Sequence, residues 1–270
     1  MRAQVVELVR YLVKGCAGES LDSVAAGPMG LADDRLFMVV DGNGKFVTQR
    51  TRPRMAVVRP TLGEGTLTLS AAGIQDLRFD IVADGDQLEV ILHSWSGKAV
   101  DQGAEAAGWF SEFMGEPCRL VRVPPGLERR SNGATGGQVG FADADALHLT
   151  SVSSLDHLNG LIRRNGGETL PMNRFRPNVV VSGWDEPYTE DRVRRITLGA
   201  VEVSYEKRAI RCAVPTVDQA IGRKAGHEPT RTLAGYRREE GGGVSFGTKF
   251  AVLAAGELTV GDPVSVTEWD

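Results

Sequence analysis

Cysteine is scarce in this chain, which has only Cys16, Cys118 and Cys212 among its 270 residues. An odd number of thiols at such wide spacing fits neither a disulfide framework nor a four-thiolate zinc site. We therefore expect reduced thiols.

Long apolar runs are also absent. The N-terminal stretch MRAQVVELVRYLVKG is interrupted by Glu7, Arg10 and Lys14, and it is too short and too charged for a signal peptide or a membrane span. We expect a cytoplasmic protein with no membrane partner.

Excess positive charge is missing as well, because the net charge is -4. This value excludes a global positive field that would attract a nucleic acid duplex or anionic lipid. Any anionic ligand must therefore be held by a local basic cluster. With 41% hydrophobic and 24% charged residues, the chain has an ordinary globular composition and enough length for one large or two modest cores.

The common catalytic motifs are not found. There is no phosphate-binding G-x-x-x-x-G-K-[ST], no G-x-S-x-G, no H-E-x-x-H and no G-x-G-x-x-G that opens a helix after a strand. Histidines occur singly and are assigned no role, because isolated histidines are more often surface or core residues than metal ligands. They are His93, His148, His157 and His227.

Short strands with turn residues dominate the first hundred residues. Asp41-Gly42-Asn43-Gly44 predicts a hairpin within 36–49, since Gly and Asn tolerate positive φ. Many short strands suggest a barrel, and the apolar spacing of 103–114 predicts a helix. The other predicted strands are 66–70, 88–92 and 98–101.

The stretch 124–140 is rich in Pro, Gly and Arg, which is typical of a linker or loop. We place a domain boundary near 120, giving domains 1–120 and 121–270. Ser153 or Ser154 is expected to cap a helix that ends at Gly166-Gly167. The remaining predictions are a strand at 179–181, a hairpin at 196–205, a short basic helix at 230–238, and strands at 249–253 and 264–267.

Cys212 follows a predicted hairpin in KRAIRCAVPTVD, so its thiol is expected at a strand end. One interpretation is a buried structural cysteine that packs as a small hydrophobe. The other follows from Arg211, because a neighbouring cation favours the thiolate that attacks electrophiles or binds a soft metal.

Basic residues form two further groups. In RFRPNVVVSG, Arg174 and Arg176 would share one face of a strand and suit a phosphate or pterin edge, unless they form a solvated basic edge. The second group is scattered through the N-terminal half and is not diagnostic by itself. It comprises Lys14, Arg35, Arg50, Arg52 and Arg54.

Six segments gain specificity when they are read in order. They are YLVKGCAG, GLADDRLFMVVDGNGKFVTQR, LTSVSSLDHLN, FRPNVVVSG, RCAVPTVD, and SFG with VGDPV. Together they resemble the MOSC family over nearly the whole chain. The subgroup is the one with an N-terminal MOSC β-barrel domain, which includes the mitochondrial amidoxime-reducing components and bacterial reductases of N-hydroxylated compounds.

The resemblance implies a mainly β fold with some α (α+β), in which a MOSC β-barrel domain is joined to a smaller N-terminal β-rich domain. It implies that molybdenum cofactor (Mo-molybdopterin) binds between them, with Cys212 as the protein ligand of molybdenum. Pyridoxal phosphate is not expected. The positions implied for the cofactor's phosphate and pterin are Lys14, Arg35, Ser151, Arg176, Asn178 and Arg211.

The implied reaction is reduction of the N-O bond in small N-hydroxylated substrates such as amidoximes, hydroxamic acids or N-hydroxylated bases. No ferredoxin segment follows residue 270, and three cysteines cannot hold a [2Fe-2S] cluster while one binds molybdenum. We therefore expect a separate electron donor: a ferredoxin, a flavodoxin-type protein, or a cytochrome b5-type protein with its reductase. Two alternatives remain open, a sulfur carrier with a persulfide on Cys212 and a protein that binds or stores the cofactor.

The chain departs from the family pattern at two positions. Gly15 follows Lys14 where related reductases often have serine, and Pro215 occupies the first threonine position of R-C-x-x-T-T-V-D. The second departure concerns the pocket beside molybdenum and hence the choice of substrate.

Overall fold

The computed structural model describes residues 2–270. Its first half consists of short strands and one helix. In chain order these elements are β1 Gln4–Arg10, β2 Glu19–Leu21, β3 Ser23–Gly27, β4 Gly30–Leu31, β5 Phe37–Asp41, β6 Arg59–Leu62, β7 Thr66–Ser70, β8 Leu77–Asp80, β9 Gln87–Leu92, β10 Trp95–Asp101, α1 Gly103–Met114 and β11 Cys118–Arg122.

Longer strands and two helices make up the second half. They are β12 Leu147–Ser151, α2 Val152–Arg164, β13 Val179–Ser182, β14 Val193–Leu198, β15 Val201–Arg211, β16 Val217–Asp218, β17 Arg223–Lys224, α3 Thr230–Leu233, β18 Val244–Ala254, β19 Gly256–Thr259 and β20 Val264–Trp269. Short 3-10 helices cover Pro53–Val57, Met172–Arg174, Thr189–Asp191 and Val214–Thr216. This strand-rich content confirms the predicted mainly β, α+β fold class.

One sheet contains eight strands in the order β2-β1-β13-β12-β18-β15-β14-β20. Its pairs are antiparallel except for β12 with β13. The inward side chains are mostly Val, Leu and Ile, such as Leu149, Val179 and Val203, which are buried in one cluster. β-branched residues favour such half-buried pleated surfaces.

A second hydrophobic core belongs to the N-terminal part. Helix α1 buries Trp109, Phe110 and Phe113 against strand residues such as Leu67 and Leu120. The helix ends at Gly115, whose φ of 74° is readily adopted by glycine at a helix C-terminus. Two sheets flank this region, in the orders β5-β11-β10-β9 and β6-β7-β8.

Strand pairing crosses the predicted domain boundary. β1 pairs with β13, and β3 pairs with β19, so strands from the first 31 residues belong to sheets built with the C-terminal half. The division into domains 1–120 and 121–270 stays a prediction. The two sheets that contain β1 and β3 combine strands from both sides of that boundary.

Most predicted elements are present, with local corrections. The 36–49 segment contains β5 and a turn, but its second arm makes only isolated bridges, Val40 with Phe46 and Lys45 with Ile91. Helix α2 is capped by Ser151 rather than Ser153 or Ser154, and the predicted helix at 230–238 is only α3, Thr230–Leu233. Among residues 2–270, no helix is long and apolar enough to cross a membrane.

Candidate functional site

A cleft of about 370 Å³ lies where the N-terminal segments meet the eight-stranded sheet. Its walls come from the segment after β1, from residues 47–50 and 142–145, from the turn at 175–176, and from β12, β15 and β18. Five predicted site residues converge there from distant parts of the sequence. They are Lys14, Arg35, Arg176, Arg211 and Cys212.

Cys212 comes directly after β15, as predicted, and is half-buried in the cleft wall. The chain turns away immediately because Val214–Thr216 form a 3-10 helix that contains Pro215. Arg50 and Arg211 line the same cleft as Cys212. Burial would lower the pKa of Arg50, but the Cys212 sulfur and Asp143 raise it above the ordinary value. Two cations therefore accompany the thiol in the cleft wall.

Lys14 is held by the loop that carries Asp143. Its Nζ donates to the carbonyl of Phe141 (2.9 Å) and to the carboxylate of Asp143. The Asp143 carboxylate is also 3.0 Å from Nε2 of His93 and 3.8 Å from the Arg50 guanidinium. Burial would raise the pKa of Asp143, but Lys14 and His93 outweigh it and hold that pKa well below the ordinary value. Asp143 is thus an anionic junction between the two halves of the chain.

Arg35 is fixed from behind the cleft. Its guanidinium donates to the Asp34 carboxylate and to Oδ1 of Asn178 at 2.9 Å. Asn178 is buried, and its Nδ2 donates to the carbonyl of Val9 at 3.1 Å. Asn178 does not line the cleft and instead braces Arg35.

Arg176 is buried, and its NH1 donates to Oε1 of Gln219 at 3.2 Å. No carboxylate among residues 2–270 forms an ion pair with it. Burial lowers the pKa of Arg176 to about 10, and the charge of Arg35 adds to this effect. An arginine buried without a counter-charge is poised for an anionic ligand.

Ser151, a predicted cofactor contact, is not among the residues that line the cleft. Its Oγ accepts from the backbone N–H of Ser154 at the start of α2 and donates to Glu190 at 2.9 Å. Ser151 is fully buried and its hydroxyl is occupied as a helix cap, so we do not propose it as a cofactor contact.

Sequence reasoning missed several cleft residues. In sequence Arg50 is one of several scattered cations, and no sequence pattern points to Asp143 or Lys249. Burial lowers the pKa of Lys249 to about 7, and the charges of Arg35 and Arg211 add to the effect. His148 also lines the cleft, where burial and the charge of Lys249 hold its pKa well below the ordinary value.

The backbone conformation explains why Gly15 occupies the position where related reductases often have serine. Gly15 has a φ of 86°, and a Cβ there would lie 3.1 Å from Cε of Met55. A serine would be strained in this conformation, whereas glycine adopts it freely.

The donor set of the cleft fits a molybdenum cofactor. Two aspartates, Asp143 and Asp145, face eight basic side chains: Lys14, Arg35, Arg50, Arg176, Lys207, Arg208, Arg211 and Lys249. The Nε atoms of Arg50 and Arg211 are buried without a hydrogen-bond partner in the described chain. Buried donors of this kind normally have acceptors. A dianionic phosphate would supply them, and a thiolate suits a soft metal.

The cleft is basic, carries one half-buried thiol and lies between two β-rich regions. These features define a protein that binds an anionic cofactor. Comparison with known proteins identifies its family. Residues 2–117 match the MOSC N-terminal beta barrel domain and residues 136–265 match the MOSC domain. The chain therefore belongs to the MOSC family, in the group that carries the N-terminal β-barrel domain, and the predicted family is confirmed.

Curated relatives agree with this assignment. Mitochondrial amidoxime-reducing component 1 of Mus musculus is 34% identical over 96% of this chain and 81% of its own length. The Homo sapiens protein of the same name is 31% identical over 96% of this chain and 82% of its own length. The molybdenum cofactor sulfurase of Danio rerio is 30% identical over 94% of this chain but only 32% of its own length.

Proposed function

We propose that the protein is a molybdenum-cofactor-dependent reductase that breaks the N-O bond of small N-hydroxylated compounds, with Cys212 as the protein ligand of molybdenum. The observation that carries the proposal is the placement of the Cys212 thiol in a cleft whose eight cations far outnumber its two carboxylates. Membership of the family makes the chain a molybdenum-cofactor protein of the oxidoreductase class. The amidoxime-reducing names of its relatives support the substrate class.

Different residues of the cleft would bind the cofactor's organic part and its metal. Lys14, Arg35, Arg176 and Arg211 would hold the phosphate and pterin, with lysine acting as a point charge and the arginines as planar forks. Cys212 would donate its thiolate to the metal, with Arg50 and Arg211 beside it in the cleft lining. When bound, the cofactor supplies two-electron redox chemistry. The overall reaction consumes two electrons and two protons and releases the hydroxyl oxygen as water.

A separate electron-donor protein is part of the proposal. Cys16 and Cys118 are both buried in the N-terminal core, where burial raises the pKa of Cys16 to about 12 and that of Cys118 to about 11. These thiols serve packing and are poor ligands for an iron-sulfur cluster. A ferredoxin, a flavodoxin-type protein or a cytochrome b5-type protein would therefore deliver electrons to the cleft. The cytoplasmic location stays a prediction, since the amidoxime-reducing relatives are named mitochondrial.

One observation favours a second candidate, in which Cys212 carries a persulfide and transfers sulfur. The chain is 30% identical to a molybdenum cofactor sulfurase, and a half-buried thiol beside Arg50 and Arg211 would suit that chemistry.

An anaerobic turnover assay separates the two candidates. Cofactor-loaded protein, reduced by a low-potential dye, should convert an aryl amidoxime to the amidine, and Cys212→Ala should not. Persulfide on Cys212 without amidine formation would reject the reductase and support the sulfur carrier.

A further inference from the structure

Tyr11 contacts two of the cleft arginines with one aromatic ring. It follows strand β1 and is only 2% exposed. The guanidinium carbons of Arg35 and Arg176 lie 4.5 Å and 4.1 Å from the ring centroid. Both distances fall within the range of a cation-π interaction. A single buried side chain thus touches both cations.

Both arginines have backbones that non-glycine residues rarely adopt. The φ angles are 49° at Arg35 and 54° at Arg176, in the left-handed region. Such conformations persist only where the surroundings hold them. Here the N–H of Arg35 donates to the carbonyl of Tyr11 at 2.7 Å, and the N–H of Tyr11 donates to Asp34 at 2.8 Å. The turn before Arg35 is therefore fastened to Tyr11.

The two guanidinium groups oppose each other electrostatically. Asp34 compensates Arg35, whereas the side chain of Arg176 has the neutral Gln219 as its hydrogen-bond partner within residues 2–270. The electron-rich face of a tyrosine ring attracts both cations and offsets part of their repulsion.

We propose that Tyr11 is a positioning residue whose ring holds Arg35 and Arg176 together, ready for one anionic group of the cofactor. Neither the sequence patterns nor the relatives' names assign it a role. The inference rests on the proposed function only in taking the cleft's ligand to be an anion.

Two substitutions at this position isolate the ring. Tyr11→Phe keeps the aromatic face and removes only the hydroxyl, whereas Tyr11→Leu keeps an apolar side chain without the face. The full-length, cofactor-free protein would be titrated calorimetrically with inorganic pyrophosphate. Molybdenum and pterin contents would be measured on the same variants produced in a cofactor-making host, with thermal unfolding recorded for each.

We expect Tyr11→Phe to bind pyrophosphate within about twofold of the wild type and Tyr11→Leu to bind about tenfold more weakly, since two cation-π contacts are lost. Adding Arg176→Ala to Tyr11→Leu should cost less than the sum of the two single losses, because the part of the Tyr11 effect that acts through Arg176 is already lost with that guanidinium. Cofactor content should follow the same order.

Equal affinity in the Phe and Leu variants would overturn the positioning role, and so would additive losses in the double variant. If the wild type itself binds neither pyrophosphate nor cofactor, the proposed function fails together with this inference. Wild-type binding with unaffected Leu and Phe variants would refute the inference alone.

Discussion

Arg176→Ala should lower cofactor occupancy without a matching loss in turnover per bound molybdenum. In the described chain its guanidinium is buried and makes one side-chain hydrogen bond, to Gln219, so most of its donors remain for a ligand. A charge-assisted hydrogen bond contributes about 1.5–3 kcal/mol. At 1.4 kcal/mol per factor of ten, the dissociation constant of the cofactor should rise roughly 10- to 150-fold.

The assay measures molybdenum and pterin per polypeptide, followed by amidoxime turnover divided by bound molybdenum. Arg78→Ala, which removes an exposed arginine on β8, is the matched control and should change neither quantity. Full occupancy in Arg176→Ala with reduced turnover per molybdenum would refute the reasoning and assign Arg176 to the substrate instead.

Two further predictions concern Ser151 and Lys249. Ser151→Ala should lower the free energy of unfolding by about 1–2 kcal/mol, because the cap of α2 and the hydrogen bond to Glu190 are lost. Its molybdenum content should stay unchanged. Denaturant titration and metal analysis check the two expectations, and reduced molybdenum in a stably folded variant would make Ser151 a cofactor contact. The pKa of Lys249 is about 7 in the folded protein and about 10.4 in the unfolded chain. Between these two pH values the unfolded chain therefore binds more protons than the folded protein. The free energy of unfolding of the cofactor-free protein should rise with pH across that window. Lys249→Met should flatten this rise in denaturant titrations at pH 7 and pH 10, and an unchanged slope would contradict the assigned cause.

Local sequence patterns predicted the elements that depend on near neighbours. Helix α1 has the predicted bounds, 103–114, because its apolar spacing and Gly115 act within a few turns. The predicted cap of α2 lies two or three residues too late because Ser151, Ser153 and Ser154 are equivalent as cap formers in sequence. The cap is Ser151 because β12 ends there in an extended conformation, which only the folded sheet defines.

Local sequence patterns do not predict which distant segments pair or which side chains meet in the cleft. The pairing of β1 with β13 joins residues about 170 positions apart, and no local signal specifies such a partner. Lys249 reaches the cleft wall because β18 pairs with both β12 and β15, a register that only the folded sheet defines. The resemblance supplied Lys14, Arg35, Arg176, Arg211 and Cys212, all of which line the cleft. No sequence pattern points to Asp143 because its contacts are with Lys14, Arg50 and His93, which come from three separate segments.

The most direct test of the central claim is molybdenum and pterin analysis of the wild type and Cys212→Ala, produced side by side in a host that makes the cofactor. We expect near-stoichiometric molybdenum and pterin in the wild type. In the variant, molybdenum should be lost while the fold is kept and some pterin is retained by the arginines. Equal molybdenum in the two proteins would contradict the proposed role of Cys212 as the metal's protein ligand.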